Sequence, residues 1–559
     1  MTAPKPALSE LPIKRAETGF YRGFSIDVTV ASKIIISALV VWAIFWPVQA
    51  GETLGDWNTL ILANFAAWYI WAVALFVTVC IGLAIWPAAG RLNLGRPGEK
   101  PDFSNFSWFS MMFSAGIGVG MLTWAVAEPV THFGNNPEVI QGLTTGGGAD
   151  NVRMAYKWSF LHWGFGAWSC YAIAGLSMAF FSYRRALPLT IRSSLTPIFG
   201  KVLSGPLGHL IDIVAVVATI LGVAQTLGFG AEQFVAGLTR IGIGGLVNAD
   251  GTTNSSGIVI ALILIMGAST LSALSGVRKG IKWLSNINMF LSIILLGFLI
   301  IFGSTFFGGS ALLFGIWDYV IALPQMSINV WGTDGVEGSE AFLLTQWQGS
   351  WPVFYWAWWI AFAPFVGLFL ARISRGRTIR EFVLGAMFVP SLMCFIWFAW
   401  AGGTAIDLEL NGGANGLILD TANGDKIFAM TAFILAPIGE WLAWGMALLI
   451  VVLLMTFLVT SADSAVLIVN TINAGGDEGP KARPHILFWG AALGLVVVGL
   501  LISGGTEAIK MAMVIGALPF SIVMVLMCFA LVMAIYYDGR REAAGVQTTF
   551  ASDNSMPAG

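Results

Sequence analysis

Charge is what this sequence most lacks. Only 10% of its 559 residues are Asp, Glu, Lys or Arg, while 57% are hydrophobic; an ordinary soluble domain is roughly a quarter charged. That balance excludes a water-soluble globular chain, and a net charge of −2 offers nothing to nucleic acid or another polyanion. Cysteine is nearly absent as well. Cys80, Cys170, Cys394 and Cys528 each stand alone in an apolar stretch, which argues against a disulfide or metal framework. The four histidines are scattered along the chain and suggest no zinc or haem cluster. With no grouped His, Cys or acid pair, an enzyme is the least favoured class and no cofactor is expected. No cleavable leader is expected either, because residues 1–29 are polar and the first apolar run has no small-residue cleavage site.

What the chain has is apolar length. Runs of about 20 residues, enough to cross a ~30 Å hydrocarbon core as helix, recur near 30–49, 62–86, 106–127, 156–182, 207–230 and 256–276. They continue near 283–308, 348–371, 381–404, 441–468, 484–503 and 511–537. The expected fold is an all-α polytopic membrane protein with 12 transmembrane helices over 30–537, between short tails at 1–29 and 538–559. Lys and Arg are retained on the cytoplasmic side of a membrane. With the N-terminus inside, the opposite side keeps only Arg153, Lys157, Arg240, Lys426 and Lys510 of the 28 basic residues. Both termini are therefore expected in the cytoplasm, and the chain in a plasma membrane, the inner membrane of a bacterium.

Two spans carry polar or permissive residues where lipid would forbid them. In the third, Gly116, Gly118 and Gly120 alternate within AGIGVG. Close helix packing would place small residues four apart, whereas this spacing lowers the cost of leaving helical geometry and makes the three a hinge. Unwound backbone at mid-membrane is tolerated where it lines a cavity or binds an ion. In the tenth span, Thr460, Ser461, Asp463 and Ser464 interrupt an apolar run. Hydroxyls can bond back to their own helix, but an ionisable group in the membrane marks function. Oxygen ligands without soft neighbours suit a hard cation such as Na⁺. The two knots lie seven spans apart, as the first and eighth helices of an inverted repeat of five would.

The third signal is aromatic. FYWAWWIAFAPF, residues 354–365, holds seven rings in twelve residues, and Pro364 is expected to break that helix and free the Ile360 carbonyl. An interfacial belt is the ordinary explanation for such rings. Here the basic cluster begins only at Arg372, which puts Trp356, Trp358 and Trp359 near mid-membrane. In the fourth span Trp163, Trp168 and Tyr171 would fall within about 160° of one another on one helix. Ring faces attract a trimethylammonium or dimethylsulfonium group, which has no N–H to donate. Each desolvated contact contributes ~2 kcal/mol, so three or four rings could reach the ~8 kcal/mol of micromolar binding.

These residues resemble the betaine/choline/carnitine transporters. The resemblance spans roughly residues 20 to 540. It is carried by AGIGVG with Glu128 and Pro129, by HWGFGAWSCY at 162–171, by SGVRKGIKWLSNIN at 275–288, by the whole of 354–382, and by FLVTSADSA at 457–465. It implies a leucine-transporter-like 5+5 inverted repeat in spans 3–7 and 8–12, after two extra N-terminal helices. It implies an aromatic box of Trp163, Trp168, Tyr171 and Trp359, with Trp356 and Trp358 beside it. Sodium would sit on the carbonyls of Ser114, Ile117 and Phe457 and the hydroxyls of Thr460 and Ser461. A second sodium site of some members pairs two threonines one turn apart; here Thr219 is followed by Val223, which has no oxygen to offer. Phe362 stands where the family usually has another Trp.

The function expected is import of a quaternary ammonium or sulfonium osmolyte by sodium symport, with glycine betaine or dimethylsulfoniopropionate favoured. The substrate carboxylate would meet backbone amides near Gly118 and Gly120 at the start of a half-helix. Choline or carnitine transport, and sodium-independent exchange, are the alternatives; a channel would need a continuous polar pore. The family implies a homotrimer. Arg372, Arg375, Arg377 and Arg380 read as topogenic charge in contact with anionic membrane lipid, or as a gate or subunit contact. Glu128 and Asp212, near span ends, read as solvated or paired. The final tail carries only Arg540 and Arg541 as basic residues, unlike the long basic tails of osmosensing members, so strong osmotic activation is not expected.

Overall fold

The computed structural model describes residues 6–549, apart from 97, 117, 249–252 and 276–279. Among these residues the secondary structure is helical, with three isolated bridges and no strand. The first two helices, α1 (Ile26–Phe45) and α2 (Pro47–Ile85), are separated by Trp46 alone. Pro47 opens α2, where a missing N–H costs nothing. The third span is split into α3 (Asn105–Gly116) and α4 (Val119–Gly134), and the fourth into α5 (Val152–Trp163) and α6 (Phe165–Ala179). Then come α7 (Pro206–Arg240), α8 (Ser255–Ser275), α9 (Gly280–Phe302) and α10 (Thr305–Met326).

The second half begins with α11 (Glu340–Gln348), whose Ser339 cap accepts the Phe342 amide at 3.1 Å. One π-helical turn leads into α12 (Phe354–Ile373). The next helix, α13 (Ile379–Leu410), starts with a capping box in which Thr378 and Glu381 exchange side-chain and backbone bonds. Short α14 (Lys426–Leu435), then α15 (Glu440–Asn473) and α16 (Arg483–Ala543), complete the chain. Inside α16 the backbone folds at Gly504 and Gly505; Gly505, at φ 69°, needs a glycine.

Eleven of the described helices are long and apolar enough to cross a membrane. The protein is an all-α polytopic membrane protein. The number differs from the expected 12 for identifiable reasons. The third span is broken into pieces of 12 and 16 residues, and the expected eleventh and twelfth spans are the two helical segments of α16, joined through the kink at Gly504 and Gly505 and counted together. Helix α10 is not among the expected spans; it carries Asp318 and an internal Pro324.

Helices α5, α6 and α12 form the centre. In the most apolar stretch of the fourth span 94% of residues are buried, and in that of the eighth 83%, against 28% for α9. Lipid is as apolar as a leucine side chain, so close backbone approach, not exclusion of water, holds such helices together. Gly175 and Gly367 provide it: a Cβ on Gly175 would stand 2.9 Å from the Gly367 carbonyl, and one on Gly367 2.6 Å from Ala174 Cβ. This contact sets the register between the two aromatic spans.

Candidate functional site

The break in the third span falls within the glycine run. Gly118 is extended (φ −151°, ψ −175°), and its carbonyl accepts the Met121 and Leu122 amides at 3.1 and 3.2 Å, starting α4. As the first residues of that helix, Val119 and Gly120 have no intrahelical acceptor for their N–H groups. The glycines differ in surroundings. A Cβ on Gly118 would meet nothing within 4 Å, whereas one on Gly120 would lie 3.2 Å from the rings of both Trp163 and Trp358. Ile117 lies outside the described residues.

The fourth span corrects the single-helix expectation. Gly164 (φ −93°, ψ −140°) interrupts it, so Trp163 ends one helix while Trp168 and Tyr171 belong to the next. A glycine is required there by crowding: a Cβ would stand 2.5 Å from the Phe160 carbonyl and 2.7 Å from the Tyr319 hydroxyl. The Phe165 N–H freed by the break donates to Tyr319 Oη at 2.9 Å, so the unexpected α10 caps α6.

The rings nevertheless converge. Trp168 meets Tyr171 at 5.3 Å between centroids, Tyr171 meets Trp359 at 6.2 Å, and Trp359 meets Trp163 at 5.0 Å, all edge-to-face. Trp358 stacks on Trp359 at 4.9 Å and 11°. Trp356 points elsewhere, against Gly166, whose Cβ would lie 2.6 Å from its ring. Phe362 is half-buried and faces Gly222 of α7. Pro364 does not break the helix, because α12 runs from Phe354 to Ile373 through it; in a packed bundle, neighbouring groups offset the one lost N–H bond.

Around the tenth-span knot, α15 stays helical. Thr460 Oγ1 donates to the carbonyls of Thr456 and Phe457 at 3.0 and 3.1 Å, and accepts from Asn288 Nδ2 at 3.3 Å. Asp463 is fully buried; Ser272 of α8 and Ser464 donate to its carboxylate at 2.5 and 3.1 Å. The third and tenth spans meet at Gly230 of α7, where a Cβ would be 2.3 Å from Leu458 and 2.7 Å from Val119. Of the five expected sodium residues, Phe457, Thr460 and Ser461 lie on α15, and Ser114 belongs to α3. Thr219 bonds back to the Ala215 carbonyl at 2.7 Å and Val223 is buried.

The family model for betaine/carnitine/choline family transporters matches residues 27–540. The chain belongs to this family. It is 36% identical over 512 residues to the glycine betaine transporter OpuD of Bacillus subtilis, covering 91% of this chain and 94% of OpuD. A glycine betaine transporter of Acinetobacter baylyi is 35% identical, covering 88% of this chain and 70% of the relative. The osmo-independent choline transporter BetT1 of the same organism is 36% identical, with coverage of 86% and 88%.

Within this family member, the residues that the sequence left unconnected are Glu128, His132 and His162. The expectation of scattered histidines fails for two of the four. His132 Nε2 and His162 Nδ1 lie 3.4 and 2.6 Å from Glu128 Oε1, with all three side chains fully buried. Only the spacing of Glu128 and His132, one helical turn apart, hinted at it. Glu128 Oε2 accepts the N–H of Trp163 at 2.7 Å and the hydroxyl of Tyr355 at 2.5 Å, and the His162 carbonyl accepts the N–H of Trp359 at 2.9 Å. The indole N–H groups of Trp163 and Trp359 are thus anchored on Glu128 and His162.

The arginine segment proves closely tied to protein. Arg372 pairs with Glu478, Arg375 with Glu99 at 2.7 Å, and Arg380 with the Ala84 carbonyl at 2.7 Å. Arg377 donates to the Phe103 carbonyl at 2.6 Å and lies 4.4 Å over the Trp108 ring. Asp212 is paired, not solvated: its Oδ2 is 2.6 Å from Arg192 Nε, with both side chains fully buried. Asp538 is likewise buried, between Arg184 and Arg185.

Proposed function

We propose that this transporter imports glycine betaine, or its sulfonium analogue dimethylsulfoniopropionate, by sodium symport. The observation that carries the reading is the continuous array Trp168–Tyr171–Trp359–Trp163 packed against the restart of a broken helix. Rings attract a cation that has no hydrogen to donate, and the Val119 and Gly120 amides suit a carboxylate. The two relatives named as glycine betaine transporters support that choice. BetT1, named as a choline transporter, supports choline as the second reading.

Sodium would take the oxygens of Phe457, Thr460 and Ser461, with Ser114 and Ile117 completing the set. The oxygen chemistry of the described residues fits, with the Asn288 contact on Thr460 as the bond an ion would replace. Val223 supports one sodium over two. Cytoplasmic termini and a homotrimer belong to the same reading.

Labelled glycine betaine uptake into proteoliposomes tests it. Accumulation is expected only with an inward sodium gradient, and accumulation indifferent to sodium would sink the symport reading. Ser461→Ala should raise the sodium concentration giving half-maximal uptake, with less effect on substrate affinity at saturating sodium.

A further inference from the structure

One carboxylate holds Trp163, a ring of the pocket that would surround the cation, and it has no permanent counter-charge. The ion-pair partners of Glu128 among the described residues are His132 and His162. From α12 it meets Tyr355. The π turn and α11 bring Trp351 and Trp347 against His132, and from α7 Gln233 meets Thr123 of the same helix. On α13, Gly402 faces Pro129. The Lys157–Glu138 pair stands one ring layer away, behind Trp158 and Trp347. Lys426 of α14 is engaged by the carbonyls of Ile418 and Leu419.

The proton count follows from geometry. At 2.6 Å, Glu128 Oε1 and His162 Nδ1 must share one proton. With that proton alone, and His132 neutral, the group carries one negative charge. A second proton, on His162 Nε2 or on His132, makes it neutral; His162 Nε2 has no hydrogen-bond partner among the described residues. An uncompensated charge in a water-poor interior is costly, so the negative state needs a positive neighbour. Trp163 links the two regions, with its N–H on Glu128 and its ring 5.0 Å from Trp359. A headgroup among these rings would sit one indole away from the carboxylate, where screening by water is weak.

We propose that Glu128, His132 and His162 form a proton site that a cationic headgroup in the neighbouring ring pocket empties, so that substrate binding releases one proton to solvent. The inference rests on the ring-pocket reading above. Because linkage is reciprocal, protonation weakens substrate binding, and affinity rises with pH across the window in which the site empties.

The test uses the full-length protein in weakly buffered detergent solution, with tryptophan fluorescence reporting binding and a pH dye reporting protons. Glycine betaine and choline are the probes. Binding is expected to release up to one proton per site, with affinity improving by up to about tenfold per pH unit within that window. Glu128→Gln, which keeps an acceptor for Trp163 and Tyr355 but no charge, should bind without release and with a flat pH profile. Binding by the wild type without proton release overturns the proposal alone, as does a Glu128→Gln variant that retains the wild-type pH profile. Failure of the wild type to bind either probe overturns the ring-pocket reading and this one with it. If Glu128→Gln does not fold, the wild-type proton count decides.

Discussion

The aromatic centre and the Arg372–Glu478 pair at the basic rim are built from similar bonds, but water can replace only that of the rim pair. At the centre, Trp163 and Trp359 donate to Glu128 and to the His162 carbonyl, and every partner is buried. At the rim, the side chains of Arg372 and Glu478 remain 33% and 42% exposed. A broken bond at the centre leaves an unsatisfied polar group in a dry interior, whereas at the rim solvent fills the gap. Burial, more than bond type, should therefore rank the effects of mutation.

Asp212 gives the largest effect and the hardest test, because it lies at the basic end yet is as buried as the centre. Asp212→Ala leaves Arg192 charged without its partner and should cost ~3–5 kcal/mol. A collapse of thermal stability in detergent is the expected result; a loss no larger than that of an exposed pair would break the ranking by burial. Next comes Trp359→Leu. Removing one desolvated cation–π contact of ~2 kcal/mol should raise the Michaelis constant for glycine betaine roughly 30-fold. Unchanged uptake kinetics would return that ring to a packing role.

How far the sequence could be read differs between these regions for a physical reason. Most spans, the position of the third-span break and the burial of the eighth-span rings were legible, because hydropathy and glycine spacing are local properties. The kink at Gly164 was not: its cause is the Tyr319 hydroxyl and Phe160 carbonyl crowding a missing side chain, and Tyr319 is 155 residues away in a helix that is not among the expected spans. Pro364 misled in the opposite sense, since a local helix breaker is overridden when the helix is packed on nearly every side. The histidines misled because distance along the chain says nothing about Glu128, which collects one from its own helix and one from the next span. Trp168 and Tyr171 share α6 as the helical wheel requires, but the break removes that reason for Trp163, which joins them through Trp359 of α12 instead.

The two smallest effects sharpen the comparison. Gly120→Ala places a Cβ 3.2 Å from both Trp163 and Trp358, and shifting two packed rings costs ~1–3 kcal/mol. Gly118→Ala meets open space and suits an extended backbone, so its folded stability should match wild type. Equal stability losses in the two variants would show that the glycines serve flexibility alone and not ring packing. The smallest effect is expected at Arg372→Ala. An exposed ion pair contributes ~0–1 kcal/mol and is screened by salt. If the pair only braces one conformation, the variant should keep wild-type stability at high salt, and its uptake rate should differ most from wild type at low ionic strength. A large stability loss that persists at high salt would place Arg372 with the buried centre, and the distinction between the two regions would then have to rest on something other than water.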